Sequence, residues 1–337
     1  FGKLKPLAIE AHKEGFEIIF FVTGMHMLER YGLTKKEVSS IREFKTFEFL
    51  NQKEGDPLDL ILSNTILGFS KFINKVTPDM VVIHGDRIEA IACSLVCSTN
   101  YILSAHIEGG EVSGTIDEIF RHCNTKLCSI HMVSSQKAKE RVMQLGESEK
   151  DIFVIGSPEI DIHRRDSGVS IHEVKKRYNI NFEEYGICIF HPVTSEIKNL
   201  RKQSNDLFSV LKKSKRNFVV ILPNNDPGSE IIREIIDKLD KKRFLVLPSM
   251  RFNYFSELMK NASLFIGNSS AGIREVPFFG ICSINIGSRQ YKRAIAKSIK
   301  QAKAEEKGKI LNLISENWNK KFNKDKSYGL GNASKEF

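Results

Sequence analysis

Three carboxylates crowd the twelve residues His106-Ile107-Glu108-Gly109-Gly110-Glu111-Val112-Ser113-Gly114-Thr115-Ile116-Asp117, directly behind an apolar run with the pattern of a buried strand. Charge at the end of a buried strand is costly, so these groups point to chemistry. A second string, His84-Gly85-Asp86-Arg87, shares the rhythm of a histidine and then a carboxylate two positions on, which puts both on one face of an extended chain. Asp86, Glu108 and Asp117 gathered at one site would suit proton transfer, because burial and mutual repulsion raise carboxylate pKa values toward neutrality. The same rhythm fits metal ligation. Against a metal, Gly109-Gly110 reads as backbone that approaches a ligand closely, and no metal or cofactor is expected. Ordinary structural readings stand beside these: Asp117 as a cap or ion-pair partner of Arg121, and Asp86 as a surface partner of Arg87.

A second group lies in the other half of the chain. Gly267-Asn268-Ser269-Ser270-Ala271-Gly272 joins a strand to a helix, where free backbone N–H groups and the positive helix end attract an anion. Ser269 and Ser270 add hydroxyl donors for phosphate oxygens, and Glu275 could accept from the two hydroxyls of a ribose. Otherwise Asn268 or Ser269 simply caps the helix. His191, in His191-Pro192-Val193-Thr194, could donate to a phosphate, and Asn224 could meet a base or phosphate or serve a turn in Asn224-Asn225-Asp226-Pro227-Gly228. His122 and His131 read as structural.

These groups need elements to position them. Apolar runs at 17–23, 80–84, 102–107, 130–133 and 152–155 alternate with amphipathic stretches at 58–73, 87–98, 116–127 and 136–145. Strand, helix, strand in that order predicts a parallel sheet. The pattern breaks over a polar stretch, with one helix near 172–178, and resumes with runs at 187–190, 218–222, 244–247, 264–266 and 281–286. The expected architecture is α/β: a Rossmann-like domain at 1–158, a linker at 159–184 and a second Rossmann-like domain at 185–337, with a cleft between the two. Asp86, Glu108, His191, Asn224 and the Gly267–Ser270 turn fall at the carboxyl ends of predicted strands, the rim on which open parallel sheets bind ligands.

With 337 residues, 41% hydrophobic and 27% charged, the chain matches neither disordered nor disulfide-stapled compositions, and it carries no apolar run of membrane length. The net charge of +10 is spread over helix faces, so an anionic small substrate is expected rather than nucleic acid. The six cysteines lack zinc or disulfide spacing and read as reduced core residues of a cytoplasmic protein. A helix-like stretch opens at Phe1 without a Met, so an upstream strand is expected to precede it.

Taken together, the strings Thr23-Gly24-Met25-His26, His84-Gly85-Asp86-Arg87, His106 to Asp117, Arg121-His122, Gly156-Ser157-Pro158, His191-Pro192-Val193-Thr194, Gly267 to Glu275 and Ile284-Asn285-Ile286-Gly287-Ser288-Arg289-Gln290 resemble the hydrolysing UDP-N-acetylglucosamine 2-epimerases. The resemblance runs through the whole chain in order. It implies two Rossmann-like domains in the GT-B arrangement, acid/base work by Asp86, Glu108 and Asp117, and a homodimer formed through the first domain. It also implies substrate or UDP contacts from Arg87, His191, Asn224, Gly267, Ser269, Ser270, Glu275 and Arg289. Family members open with a strand and an arginine-bearing turn and close with a helix, both expected to lie outside this chain. The implied substrate is UDP-N-acetylglucosamine, on the path to sialic acid, with UDP-N,N′-diacetylbacillosamine as the alternative. From other classes, a metal-dependent hydrolase, a GT-B glycosyltransferase or a basic binding module would use the same residues differently.

Overall fold

The computed structural model describes residues 1–29, 32–113, 116–164, 168–224, 226–290, 293 and 296–337. It contains two α/β units. One comprises Phe1–Glu111, Ile116–Asp161 and Asn332–Phe337, and the other Val112–Thr115 and Ile162–Gly331.

The first unit runs α1 (Leu4–Lys13), β1 (Ile19–Val22), α2 (Lys35–Ser39), β2 (Lys45–Glu48), α3 (Leu58–Val76), β3 (Val81–His84), α4 (Ile88–Thr99), β4 (Ser104–Ile107), α5 (Asp117–Leu127), β5 (Ile130–Val133), α6 (Gln136–Gln144) and β6 (Ile152–Val154), ending in α7 (Pro158–Arg164). Strands β3 to β6 form a parallel sheet in sequence order, and β1 and β2 form a parallel pair. Helix α3 serves both. Its buried Ile61, Thr65, Phe69, Phe72 and Ile73 recur at the three- and four-residue spacing of one helix face. The Phe72 ring lies 5.1 Å from Phe21 of β1 and 5.0 Å from Phe47 of β2, and Ile83 of β3 joins the same cluster. Each such side chain contributes about 1.5–3 kcal/mol by leaving water.

The second unit runs α8 (Ile171–Tyr178), β7 (Gly186–Ile189), α9 (Leu200–Lys213), β8 (Phe218–Ile221), α10 (Ser229–Ile236), β9 (Phe244–Leu247), α11 (Phe252–Lys260), β10 (Leu264–Gly267), α12 (Ala271–Arg274), β11 (Ser283–Ile286), β12 (Ile299–Ala302) and α13 (Lys307–Asn317). Its parallel sheet has the order β12-β11-β10-β7-β8-β9. Every residue of β7 and β10 is buried, which explains their uninterrupted apolar runs. Cys188 and Phe190 enter the core beneath α9, α10 and α13, while Ile187 and Ile189 enter the opposite core with residues of α8 and α11. The chain goes from β7 outward to β9 and then returns to lay β10 on the other side of β7, so the order reverses between β7 and β10. Such a reversal opens a crevice at the strands' carboxyl ends.

Two α/β units with parallel sheets are what the strand–helix alternation predicts. The differences are local. Strands β2 and β12 carry the polar strings Lys-Thr-Phe-Glu and Ile-Lys-Gln-Ala on sheet edges, where one flank is unpaired and no apolar run is required. The stretch expected as a linker holds two helices. Pro158 starts α7, a position that suits its fixed φ, and the boundary between the units falls inside that helix, after Asp161. Val174 and Ile180 belong to the second core. Nor does the second unit reach Phe337: the Asp161 carboxylate accepts from the N–H groups of Ala333 and Ser334, each at 2.7 Å, and ties α14 (Ala333–Glu336) to the first unit. All six cysteines are free thiols, and among the described residues no helix is long and apolar enough to cross a membrane.

Strand β4 carries a fully buried imidazole. His106 Nε2 donates to the Gly85 carbonyl at 2.8 Å, its Nδ1 lies 3.1 Å from Thr125 Oγ1, and burial lowers its pKa from 6.5 to about 4. The folded ring is neutral, whereas the unfolded ring takes up a proton below its ordinary value. Its contribution is therefore intact above about pH 6.5 and lost as the pH falls toward 4. Between pH 7 and pH 5, equilibrium unfolding of the wild type should lose about 2 kcal/mol more than that of His106→Gln, which cannot titrate; equal losses would contradict this.

Candidate active site

In the first unit, the pairing of His84 with Ile107 brings the turn after β3 beside the end of β4, so Asp86 and Glu108 leave the sheet next to each other. One face of α5 covers that turn. Asn124 Nδ2 donates to the Gly85 carbonyl at 3.1 Å, and the Arg121 guanidinium donates to the Asp86 carboxylate and, at 3.0 Å, to the Glu111 carbonyl. Asp117 begins the same helix, one turn before Arg121. Sequence alone offered Asp86 as a surface partner of Arg87. The structure pairs Asp86 with Arg121, whose side chain is 4% exposed. Arg87 stands at the N-cap of α4 without a side-chain capping bond.

Glu108 is the most constrained of the three. It is buried, and its φ of +68° lies in the left-handed region that a side chain with a Cβ enters at a cost of about 1–3 kcal/mol. Its carboxylate accepts from Lys3 Nζ at 3.2 and 3.3 Å and from Ser157 Oγ at 3.2 Å, and His84 Nε2 lies 3.4 Å away. Lys3 also reaches the buried Glu159, at 3.3 Å. Strand β4, strand β3, the turn after β6 and the residue before α1 thus converge on one carboxylate.

The paired glycines have a different reason from the one the sequence pointed to. A Cβ on Gly110, whose φ is +73°, would stand 2.2 Å from the Ala138 carbonyl oxygen, and one on Gly109 would stand 2.9 Å from Thr125 Oγ1. They let α6 and α5 pack against the loop; a ligand is not needed to explain them. Metal ligation by His106 is also removed, since both ring nitrogens face protein partners. Among the described residues no group of three or more His, Cys, Asp or Glu side chains could hold a metal ion.

In the second unit the groups collect at the β7–β10 reversal. Asn268 Oδ1 accepts from the His191 N–H at 2.6 Å and its Nδ2 donates to the His191 carbonyl at 2.8 Å, locking the ends of β7 and β10 together. Asn268 is therefore a brace rather than a helix cap. The Asn268 carbonyl accepts from Gln290 Nε2 at 3.0 Å and Arg289 Nη1 at 3.5 Å, and Arg289 lies 3.8 Å from Asp226. The Asn224 N–H donates to His191 Nδ1 at 3.3 Å, so the neutral ring carries its proton on Nε2. Burial, and then the nearby Arg289 charge, lower the His191 pKa to about 3, which leaves a neutral donor at physiological pH.

Ser269 and Ser270 are half-buried at the start of α12, with Ser269 Oγ accepting from the Ala271 N–H at 3.4 Å. Helix α12 is only four residues long, so the strong helix-end field expected there reduces to one turn, and the hydroxyls are the main donors. Gly267 has a φ of +140° because a Cβ would stand 1.9 Å from the Ile189 carbonyl oxygen; it lets β10 and β7 approach. Glu275 is buried where α12 ends, 2.6 Å from His163 Nε2. Asn225 lies outside the described residues. Lys3, Ser157, Glu159, Asn268 as a brace, and His163 were not assigned from sequence. Ser157 and Asn268 had a signal, their places in the Gly-Ser-Pro and Gly-Asn-Ser-Ser strings at strand ends.

A protein family described as UDP-N-acetylglucosamine 2-epimerase matches residues 8–337. The chain is 45% identical over 301 residues to a protein of Neisseria meningitidis serogroup B named UDP-N-acetylglucosamine 2-epimerase, covering 89% of this chain and 80% of the relative. It is 30% identical over 301 residues to a UDP-N,N′-diacetylbacillosamine 2-epimerase (hydrolyzing) of Legionella pneumophila, covering 87% and 79%. The fold matches a UDP-GlcNAc 2-epimerase of Methanocaldococcus jannaschii, solved in complex with UDP-GlcNAc and UDP, with a TM-score of 0.83 at 19% identity over 99% of this chain and 94% of that one.

The Arg121–Asp86 pair should behave as a coupled unit. Arg121→Met strands Asp86 beside a desolvated helix face and is expected to cost about 3 kcal/mol, whereas adding Asp86→Asn to that variant should restore at least about 1 kcal/mol. Guanidinium unfolding of both single variants and the double variant measures this, and additive losses would refute it.

Proposed function

Because the chain belongs to the UDP-N-acetylglucosamine 2-epimerase family, we propose that it is the hydrolysing type, converting UDP-N-acetylglucosamine and water to N-acetylmannosamine and UDP. What supports this reading is the β3–β4 pairing, which sets Asp86 and Glu108 beyond adjacent strand ends, with Arg121 of α5 on the Asp86 carboxylate and Asp117 at the start of that helix. In the first step a carboxylate removes the proton on carbon 2, the carbon 1–oxygen bond to UDP breaks, and a carbon 1–carbon 2 double bond forms. In the second, water adds to carbon 1 and carbon 2 takes a proton on the opposite face. The sequence needs a base, an acid and a group that orients water, and three carboxylates supply them.

The departing diphosphate carries negative charge. Arg289, the Nε2–H of neutral His191 and the hydroxyls of Ser269 and Ser270 are suited to meet it. Asn224 and Gly267 belong to the same strand-end cluster, Glu275 is assigned to the ribose, and Arg87 to the sugar side. The hydrolysing type is supported by the name of the Legionella relative, and N-acetylglucosamine as the sugar by the higher identity to the Neisseria protein. The same reading sends the product to nonulosonic acid synthesis and has a cytoplasmic homodimer as the active form. Exposed Leu60 and Leu67 of α3 and Leu95 of α4 support a covered face on the first unit.

Incubation with UDP-N-acetylglucosamine in D2O should release UDP and give N-acetylmannosamine with deuterium at carbon 2. Glu108→Gln should slow turnover by about 10²–10⁴-fold while UDP still binds. Equilibration with UDP-N-acetylmannosamine without UDP release would defeat the hydrolysing reading, and turnover of UDP-N,N′-diacetylbacillosamine alone would reassign the sugar.

A further inference from the structure

We propose that His163 is a positioning residue for nucleotide recognition, holding the Glu275 carboxylate in the orientation that accepts from the 2′- and 3′-hydroxyls of the ribose. The inference rests on the UDP-sugar reading above.

His163 lies in the last turn of α7, with its side chain fully buried. Its Nε2 is 2.6 Å from Glu275 Oε2 and its Nδ1 is 2.7 Å from the Oγ of the buried Ser256 in α11. Nε2–H donates to the Glu275 carboxylate, and Nδ1 shares the second bond with the Ser256 hydroxyl. The ring plane is set independently of these bonds, by stacking on Phe252 and an edge contact with Phe279, each at 5.2 Å.

The consequence for Glu275 is geometric. The terminal torsion of a glutamate is broad, so an unheld carboxylate samples many planes, and acceptance from both hydroxyls of a diol requires one plane. A rigid donor on Oε2 selects that plane. One donor does not exhaust a carboxylate, whose two oxygens offer about four lone-pair sites.

The test compares calorimetric binding of UDP and 2′,3′-dideoxy-UDP by wild type, His163→Leu, His163→Gln and Ser256→Ala. Wild type should prefer UDP by about tenfold or more, the worth of a charge-assisted hydrogen bond. His163→Leu should bind dideoxy-UDP as the wild type does yet lose most of the preference. His163→Gln, whose amide can donate to Glu275, should keep most of it. Ser256→Ala, a small change that leaves the imidazole in place, should lower the preference by about threefold. An undiminished preference in His163→Leu or in Ser256→Ala overturns the inference and leaves the function reading intact, and so does a wild type that binds both nucleotides equally. A wild type that binds neither nucleotide overturns the function reading and the inference together.

Discussion

A carboxylate taken out of water has to be matched by donors, and most of the constellation described here follows from that requirement. Glu108 is 5% exposed, and the groups that offset its charge come from Lys3 and Ser157, neither of them close to it in sequence. Its left-handed backbone is tolerated because those partners, together with the ladder bond from its N–H to the Met132 carbonyl, over-determine its position. Asp86 is handled in the same way by Arg121, and the cost of burying that guanidinium is offset by its second bond to the Glu111 carbonyl. Removing one partner therefore exposes the other to the full desolvation cost, and the acid groups are held far more firmly than surface carboxylates would be.

The second unit meets a different constraint, imposed by topology. A sheet that extends from β7 to β9 and then returns to place β10 on the other flank of β7 has to part its connecting segments there. Gly267 permits the close approach of the two strands, and Asn268 closes the gap with two hydrogen bonds to the backbone of one residue, His191, at the neighbouring strand end. The same residue's carbonyl receives Arg289 and Gln290. One buried amide thereby places a histidine, an arginine and the serine turn in a common frame, and His191 stays a neutral donor because burial beside Arg289 disfavours its protonation.

Gly109-Gly110 shows how a local reading can find positions that need glycine without finding what approaches them. The pair stands out in the sequence beside chemical groups, and close approach to a ligand is a natural explanation. In the structure the missing Cβ atoms make room for Ala138 and Thr125 of the protein itself. The need for glycine was legible; the identity of what approaches was not, because it depends on which helix the fold lays against the loop.

By itself the sequence determined where the strands run, that they alternate with helices, and that the unusual polar residues end those strands. These features depend on period and on neighbours a few positions away, so they survive without any knowledge of the fold. Edge strands β2 and β12 escaped because an edge needs no apolar run, and α7 escaped because Pro158 reads as a break when it is also a good helix start. Only the tertiary structure decided the partners. Asp86 finds Arg121 across 35 positions, Glu108 finds Lys3 across 105, and Glu275 finds His163 across 112. Pairings at such separations are set by which strands lie side by side and which helix covers them, and no local pattern encodes that.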